Sequence, residues 1–159
     1  MNIKILCVGK IKEKFYRDAI AEYEKRLSRY CKLSIIEVAD EKTPDKCSQT
    51  EELLIKEKEA ARLLSHVKDN DHLIALAIDG KSYDSVSFAD HLEQLAVSGT
   101  SNLVFVIGGS LGLHNDILCK CKEHLSFSAM TFPHQLMRVI LLEQLYRSYR
   151  IRNHEPYHK

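Results

Sequence analysis

The sequence predicts an α/β fold: a five-stranded, mainly parallel sheet with helices on both faces. Three observations carry that expectation. Short apolar, β-rich runs alternate with longer amphipathic segments along all 159 residues. The fourth run, "NLVFVIG", is apolar at almost every position, as in a strand covered on both faces. No internal repeat, low-complexity tract or linker divides the chain, so residues 1–159 are expected to form one domain.

The first run, "IKILCVG" (3–9), is stopped by Gly9. Residues 12–29 follow helical spacing, with Phe15, Ala19, Tyr23 and Leu27 on one stripe. A second strand is "LSIIEVAD" (33–40), followed by a polar surface loop over 40–50. Thr50 and two glutamates open a charged helix to about Ser65, with Leu53, Leu54, Ala60, Ala61 and Leu64 as its apolar stripe. "HLIALAID" (72–79) is a third strand, and Asp79-Gly80 reads as a turn that ends it. Ser85 to Val97 is a helix closed by Gly99. After the fourth strand come a short helix from Leu113 to about Cys121 and a fifth strand or extended segment, "HLSFSAMTF". Pro133 opens the last helix, which runs to about Arg152.

Composition narrows the class. The hydrophobic fraction of 45% and charged fraction of 28% are those of a globular protein. No window approaches the roughly 18 apolar residues of a membrane span. The amino terminus lacks the apolar core of a secretory signal, so a cytoplasmic location is expected. Five cysteines, an odd number without a C-x-x-C pair, read as reduced, non-catalytic thiols and offer no metal site.

Three of the six glycines (Gly108, Gly109, Gly112) fall within five positions at the carboxyl end of the fourth strand, where ligands bind in parallel sheets. A phosphate loop would need G-x-x-x-x-G-K-[ST], and a dinucleotide fingerprint would need G-x-G-x-x-G near the first strand. Neither is present. What remains is a backbone that turns sharply and lies close to a ligand without a Cβ between, or a tight turn with no ligand at all.

The last helix is apolar at 136, 137, 139, 140, 141, 142, 145, 146 and 149, too much of its circumference for packing on one sheet face. A homodimer covering the second face is the expectation. From Arg138 to Lys159 there are five Arg or Lys against two Glu, a local basic stretch within a chain of net charge +1.

The segments "FVIGGSLGLH", "LSFSAMTFPHQLMRVILLEQLYRSYRI" and "NHEPYHK", with "KILCVGKIKEKF" and "LAIDGKSYDS" earlier, resemble the RlmH family. These are bacterial SPOUT-class methyltransferases that act on N3 of a pseudouridine in 23S ribosomal RNA, and the resemblance spans the whole chain. It implies a carboxy-terminal trefoil knot, an exception to the usual rule against knots. It also implies S-adenosylmethionine as cofactor, with no metal, and a substrate presented by the assembled 70S ribosome. The positions that match the cofactor pattern are Leu76, Gly108 and the segment Phe127, Ser128, Ala129, Met130, Thr131 and Phe132, with Gly109 letting the main chain approach closely.

An imide nitrogen must lose its proton before it accepts a methyl group, so a base or an anion-stabilising group is needed. Arg138, His134, Tyr157 and His158 are the catalytic candidates, with the tail contributed across the dimer. Arg147, Arg150, Arg152 and Lys159 are candidates for RNA contact. The rival readings are a SPOUT enzyme with another RNA target and a ribosome-binding factor without activity. A flavodoxin-like module is weaker, since "VGKIKEKF" offers one glycine where phosphate chemistry would be needed.

Overall fold

In a computed structural model describing Met1–Lys159, ten elements alternate. They are β1 (Asn2–Val8), α1 (Lys14–Leu27), β2 (Lys32–Val38), α2 (Gln49–Leu64), β3 (His72–Ser82), α3 (Ser85–Val97), β4 (Asn102–Ile107), α4 (Asn115–Leu118), β5 (Glu123–Ser126) and α5 (His134–Arg152). The strands form one sheet in the order β2-β1-β4-β3-β5, and every neighbouring pair is parallel. All five carboxyl ends therefore open onto the same edge.

Strand periodicity divides the core. On β1, Ile3, Ile5 and Cys7 point to one face and Leu6 and Val8 to the other. The first face is covered by α1, α3 and α5 through Ile20, Phe88, Leu92, Leu141, Leu142 and Leu145. The second is covered by α2 and α4 through Ala60, Leu63 and Ile117. Each such side chain, fully buried, contributes about 1.5–3 kcal/mol. The isolated strand "NLVFVIG" is indeed apolar because both of its faces are covered.

The α/β expectation holds, and several local expectations need correction. Asp79-Gly80 does not end β3. The strand continues to Ser82, with a register shift against β5 between Leu76 and Lys81. Gly80 is there for contact: a Cβ on it would stand 2.6 Å from the carbonyl carbon of His124 in β5. β5 itself stops at Ser126, and the residues up to Pro133 are irregular. The fourth helix is a single turn whose start is capped by His114, with Nδ1 accepting from the Asp116 N–H at 3.1 Å.

The inward faces of two helices also differ from the predicted stripes. Phe15 is 66% exposed, and α1 buries Ile20 and Leu27 instead. On α2, Leu53 and Leu54 are exposed while Glu59, Ala60 and Leu63 are buried. The start of α2 does match its signal, as a capping box links Ser48 and Glu51.

α5 lies between α1 and α3 in its layer, with the sheet beneath it. These neighbours within one chain cover most of its apolar circumference, so a second subunit is not needed to explain that composition. Its first turns are fixed by a buried cation. Arg138 is 1% exposed; its Nη1 pairs with Glu37 Oε2 at 2.6 Å, and Nη2 donates to the carbonyls of Gly9 (2.7 Å) and Val8 (3.2 Å). Glu37 also accepts from the Ile11 N–H at 3.0 Å. One guanidinium thus ties the carboxyl ends of β1 and β2 to α5. At the other edge, Glu123 holds His72 and His91 at 2.5 Å each, anchoring the short β5 to β3 and α3.

Two outcomes follow for stability. Gly80→Ala forces β3 and β5 apart and should cost about 1–3 kcal/mol, read as a lower midpoint in denaturant unfolding. Arg138→Met leaves Glu37 and two strand-end carbonyls without their donor and should cost on the order of 3 kcal/mol. A midpoint equal to that of the unaltered chain would remove the clamp from the account.

Candidate active site

Three loops converge at the carboxyl edge of the sheet. They are the bulged part of β3 after Leu76, residues 108–113 after β4, and residues 127–133 after β5. Together with His134 and Met137 from the first turn of α5 they enclose a cavity of about 350 Å³. Its walls are mostly apolar, from Leu76, Ile107, Leu125, Phe127 and Phe132, and the backbone of the glycine loop forms one side.

The glycine loop is shaped by space more than by torsion. Gly112 has a left-handed φ of 85°, and its N–H donates to the Gly109 carbonyl at 3.1 Å, closing the loop. Gly108 and Gly109 lack that torsional reason. A Cβ on Gly108 would stand 2.8 Å from the backbone of Gly112, and one on Gly109 would stand 3.2 Å from Val8 Cγ1. The loop folds onto itself, and its main-chain groups are left bare toward the cavity. The 127–133 loop is tightened by Ser128, whose Oγ accepts from the Met130 N–H at 3.0 Å, while Ser126 Oγ donates to the Ser128 carbonyl at 3.3 Å.

Of the nine residues expected around a cofactor, eight line this cavity: Leu76, Gly108, Gly109, Phe127, Ser128, Met130, Thr131 and Phe132. Ala129 is exposed beside it and is not part of the lining. Sequence reasoning missed Ile78, Leu111, Leu113 and Met137, which also line it. The first three sit in the two loops already singled out. Met137, one turn after His134, had a signal in its helical spacing.

His134 is half-buried at the inner rim of the cavity. Burial first, and the Arg138 cation second, hold its imidazole below the ordinary histidine range. It is therefore the neutral form that faces the cavity near pH 7, able to accept a proton. Arg138 lines no cavity, because its guanidinium is engaged with Glu37 and the β1 carbonyls.

The tail folds back along α5, beside the cavity. Tyr157 donates to Glu143 Oε1 at 3.2 Å, meets Tyr146 edge-on at 5.0 Å, and lies under the Arg147 guanidinium at 4.6 Å. Burial first and Glu143 second push its phenol up to about 12, so it remains protonated. His158 lies 3.3 Å from Arg147 and lines a neighbouring cleft that shares Phe127 and Phe132 with the cavity. Arg147 is paired with Glu143 at 2.6 Å and Arg150 with Glu155 at 2.5 Å; Arg152 stacks over Tyr149 at 5.3 Å. Within one chain, then, these arginines are committed to local partners, and Lys159 is exposed at the end.

Comparison with known proteins fits this geometry. A family model described as "Predicted SPOUT methyltransferase" matches residues 1–158. The "Ribosomal RNA large subunit methyltransferase H" of Clostridium novyi (strain NT) is 58% identical over 159 residues, all of both chains. Proteins of the same description from Clostridium botulinum (strain Hall) and Clostridium tetani are 60% and 58% identical, again over the full length of each. No helix is long and apolar enough to cross a membrane. With a parallel sheet, a glycine loop opening its carboxyl edge and similarity of this extent, the chain belongs to the SPOUT methyltransferase family.

Proposed function

We propose that this methyltransferase uses S-adenosylmethionine to methylate N3 of a pseudouridine in 23S ribosomal RNA on the assembled 70S ribosome, and that it acts as a homodimer. The observation that carries the cofactor reading is the cavity of about 350 Å³ between Leu76, the glycine loop and the 127–132 segment. Its size suits an adenosine-sized ligand. Leu76, Phe127 and Phe132 offer apolar walls to a flat base, and the bare backbone of the glycine loop offers N–H and C=O groups to its edge. No Lys or Arg lines it, which suits a sulfonium cation and not a phosphate. The ribosomal target is supported by relatives of that description at 58–60% identity.

S-adenosylmethionine, when bound, supplies an electrophilic methyl group on sulfur. This chain's residues then have two tasks, to position and to move a proton. Positioning falls to the three loops, held by the Gly108–Gly112 contact and by Gly80 against β5. We assign the proton to His134, which is neutral by virtue of its lowered pKa and borders the cavity. Arg138 acts through His134 as a positioning residue. Tyr157 and His158 are assigned to the acceptor, with Tyr157 as a protonated stacking surface and Lys159 near phosphate.

The dimer is supported by large apolar side chains left exposed at the cavity mouth, Ile78 at 54% and Met130 at 73%. A partner there would also bring a second tail toward the cavity. A knot in the chain around the 108–113 and 127–133 loops accords with family membership and with the close backbone approaches in this region.

Labelled S-adenosylmethionine incubated with unmodified 70S ribosomes, separated subunits and free RNA tests the reading. Label on a pseudouridine in assembled ribosomes alone is the expected result; label elsewhere points to another RNA target. Gly108→Val should weaken cofactor binding by at least about 100-fold, or ~2.7 kcal/mol, in calorimetry while the chain stays folded. Deleting Pro156 to Lys159 should spare cofactor binding and abolish methyl transfer. Activity should also fall as pH drops through the lowered His134 pKa, and His134→Gln should lose that limb of the profile.

A further inference from the structure

A second, smaller cavity of about 300 Å³ lies on the other side of the glycine loop, over the junction of β1 and β4. The sheet order reverses there, since β1 connects to β2 on one side and β4 lies on the other, and such switch points are where parallel sheets take ligands. Gly109, Ser110 and His134 border both cavities, so the two are continuous along the loop. Their chemistry differs sharply. The larger one has no Asp or Glu in its lining, whereas the smaller one is lined by Asp40, Glu41 and Glu59.

Glu59 is the unusual member. It is 5% exposed and sits on the inward face of α2 between apolar neighbours, yet it has no ion pair. Its one hydrogen bond comes from the Glu41 N–H to Oε2 at 3.1 Å. Oε1 has none, and it stands 3.4 Å from where a Cβ of Gly109 would be. The nearby Arg62 is engaged elsewhere, with Glu41 at 2.5 Å and the Ala39 carbonyl at 2.8 Å. Burial pushes the Glu59 carboxyl above the ordinary range, the mark of an anion lacking a partner. Asp40, exposed at the rim near His134, is likewise without an ion pair.

We propose that this acidic cavity binds the ammonium group of the methyl donor's amino-acid arm, with Glu59 and Asp40 as its anionic partners and Ser110 Oγ as a further acceptor. The inference rests on the cofactor reading above and extends it. An adenosine end in the apolar cavity and a cationic end behind Gly109 would be one molecule bent around the glycine loop. A missing side chain at Gly109 is then required by the ligand as well as by Val8. Charge-assisted hydrogen bonds of this kind are stronger than neutral ones, and in a buried site they select cations.

Calorimetry with three ligands tests it on the intact chain: S-adenosylmethionine, S-adenosylhomocysteine and 5′-methylthioadenosine, which keeps the adenosine and sulfur but lacks the amino-acid arm. Glu59→Gln should weaken the first two by at least about tenfold and leave the third within about twofold. Asp40→Asn, at the exposed rim where folding is not at stake, should show the same selectivity. Equal weakening of all three, or of none, overturns the proposal and leaves Glu59 as a support for the loop, with the cofactor reading intact. Failure of the unaltered chain to bind any of the three removes the cofactor reading and this one with it.

Discussion

Everything at the carboxyl edge depends on one buried guanidinium. Arg138 reaches the ends of β1 and β2 at once, through two carbonyls and Glu37, and so fixes where α5 begins. His134 and Met137 are on that first turn, and both border the large cavity. A buried charge with poor partners would be a liability. Here the partners are a carboxylate and the strand-end carbonyls, groups that need a donor in any case. The same cation also disfavours protonation of His134, which gives the residue its neutral, proton-accepting form.

Close backbone approach supplies the second constraint. Gly108 against Gly112 and Gly80 against His124 leave no room for a Cβ, so both loops are pressed into one arrangement by main-chain contact. Loops fixed in this way can form a binding wall from backbone groups, without long polar side chains that would lose conformational entropy on binding. The cavity consequently recognises by shape and by N–H and C=O groups. Charge lies outside its walls, in the acidic pocket behind Gly109 and along the tail.

Much of this was legible in the residues. The clustered glycines after an apolar strand located the site, and Phe127 to Phe132 marked its far wall. What could not be read was contact between distant segments. Gly80 looked like a turn because Asp-Gly usually is one, but its cause is the backbone of β5, more than forty residues on. The apolar circumference of α5 suggested a partner chain because the flanking positions of α1 and α3 are not encoded in its own spacing. Leu53 and Leu54 drew attention from Glu59, since a buried carboxylate inside a charged helix looks like any solvated one. By contrast the Arg147–Glu143 pair was readable from its i,i+4 spacing, and it argues for a tail held in place along α5.

The most direct test of the account is a crystal structure of the chain with S-adenosylmethionine bound. The adenine should lie between Leu76 and the 127–132 segment, with the glycine loop alongside and the loops close to the positions described above. Density for the ligand at another place on the sheet edge, or none at saturating concentration, would contradict the assignment of this cavity and the reaction built on it.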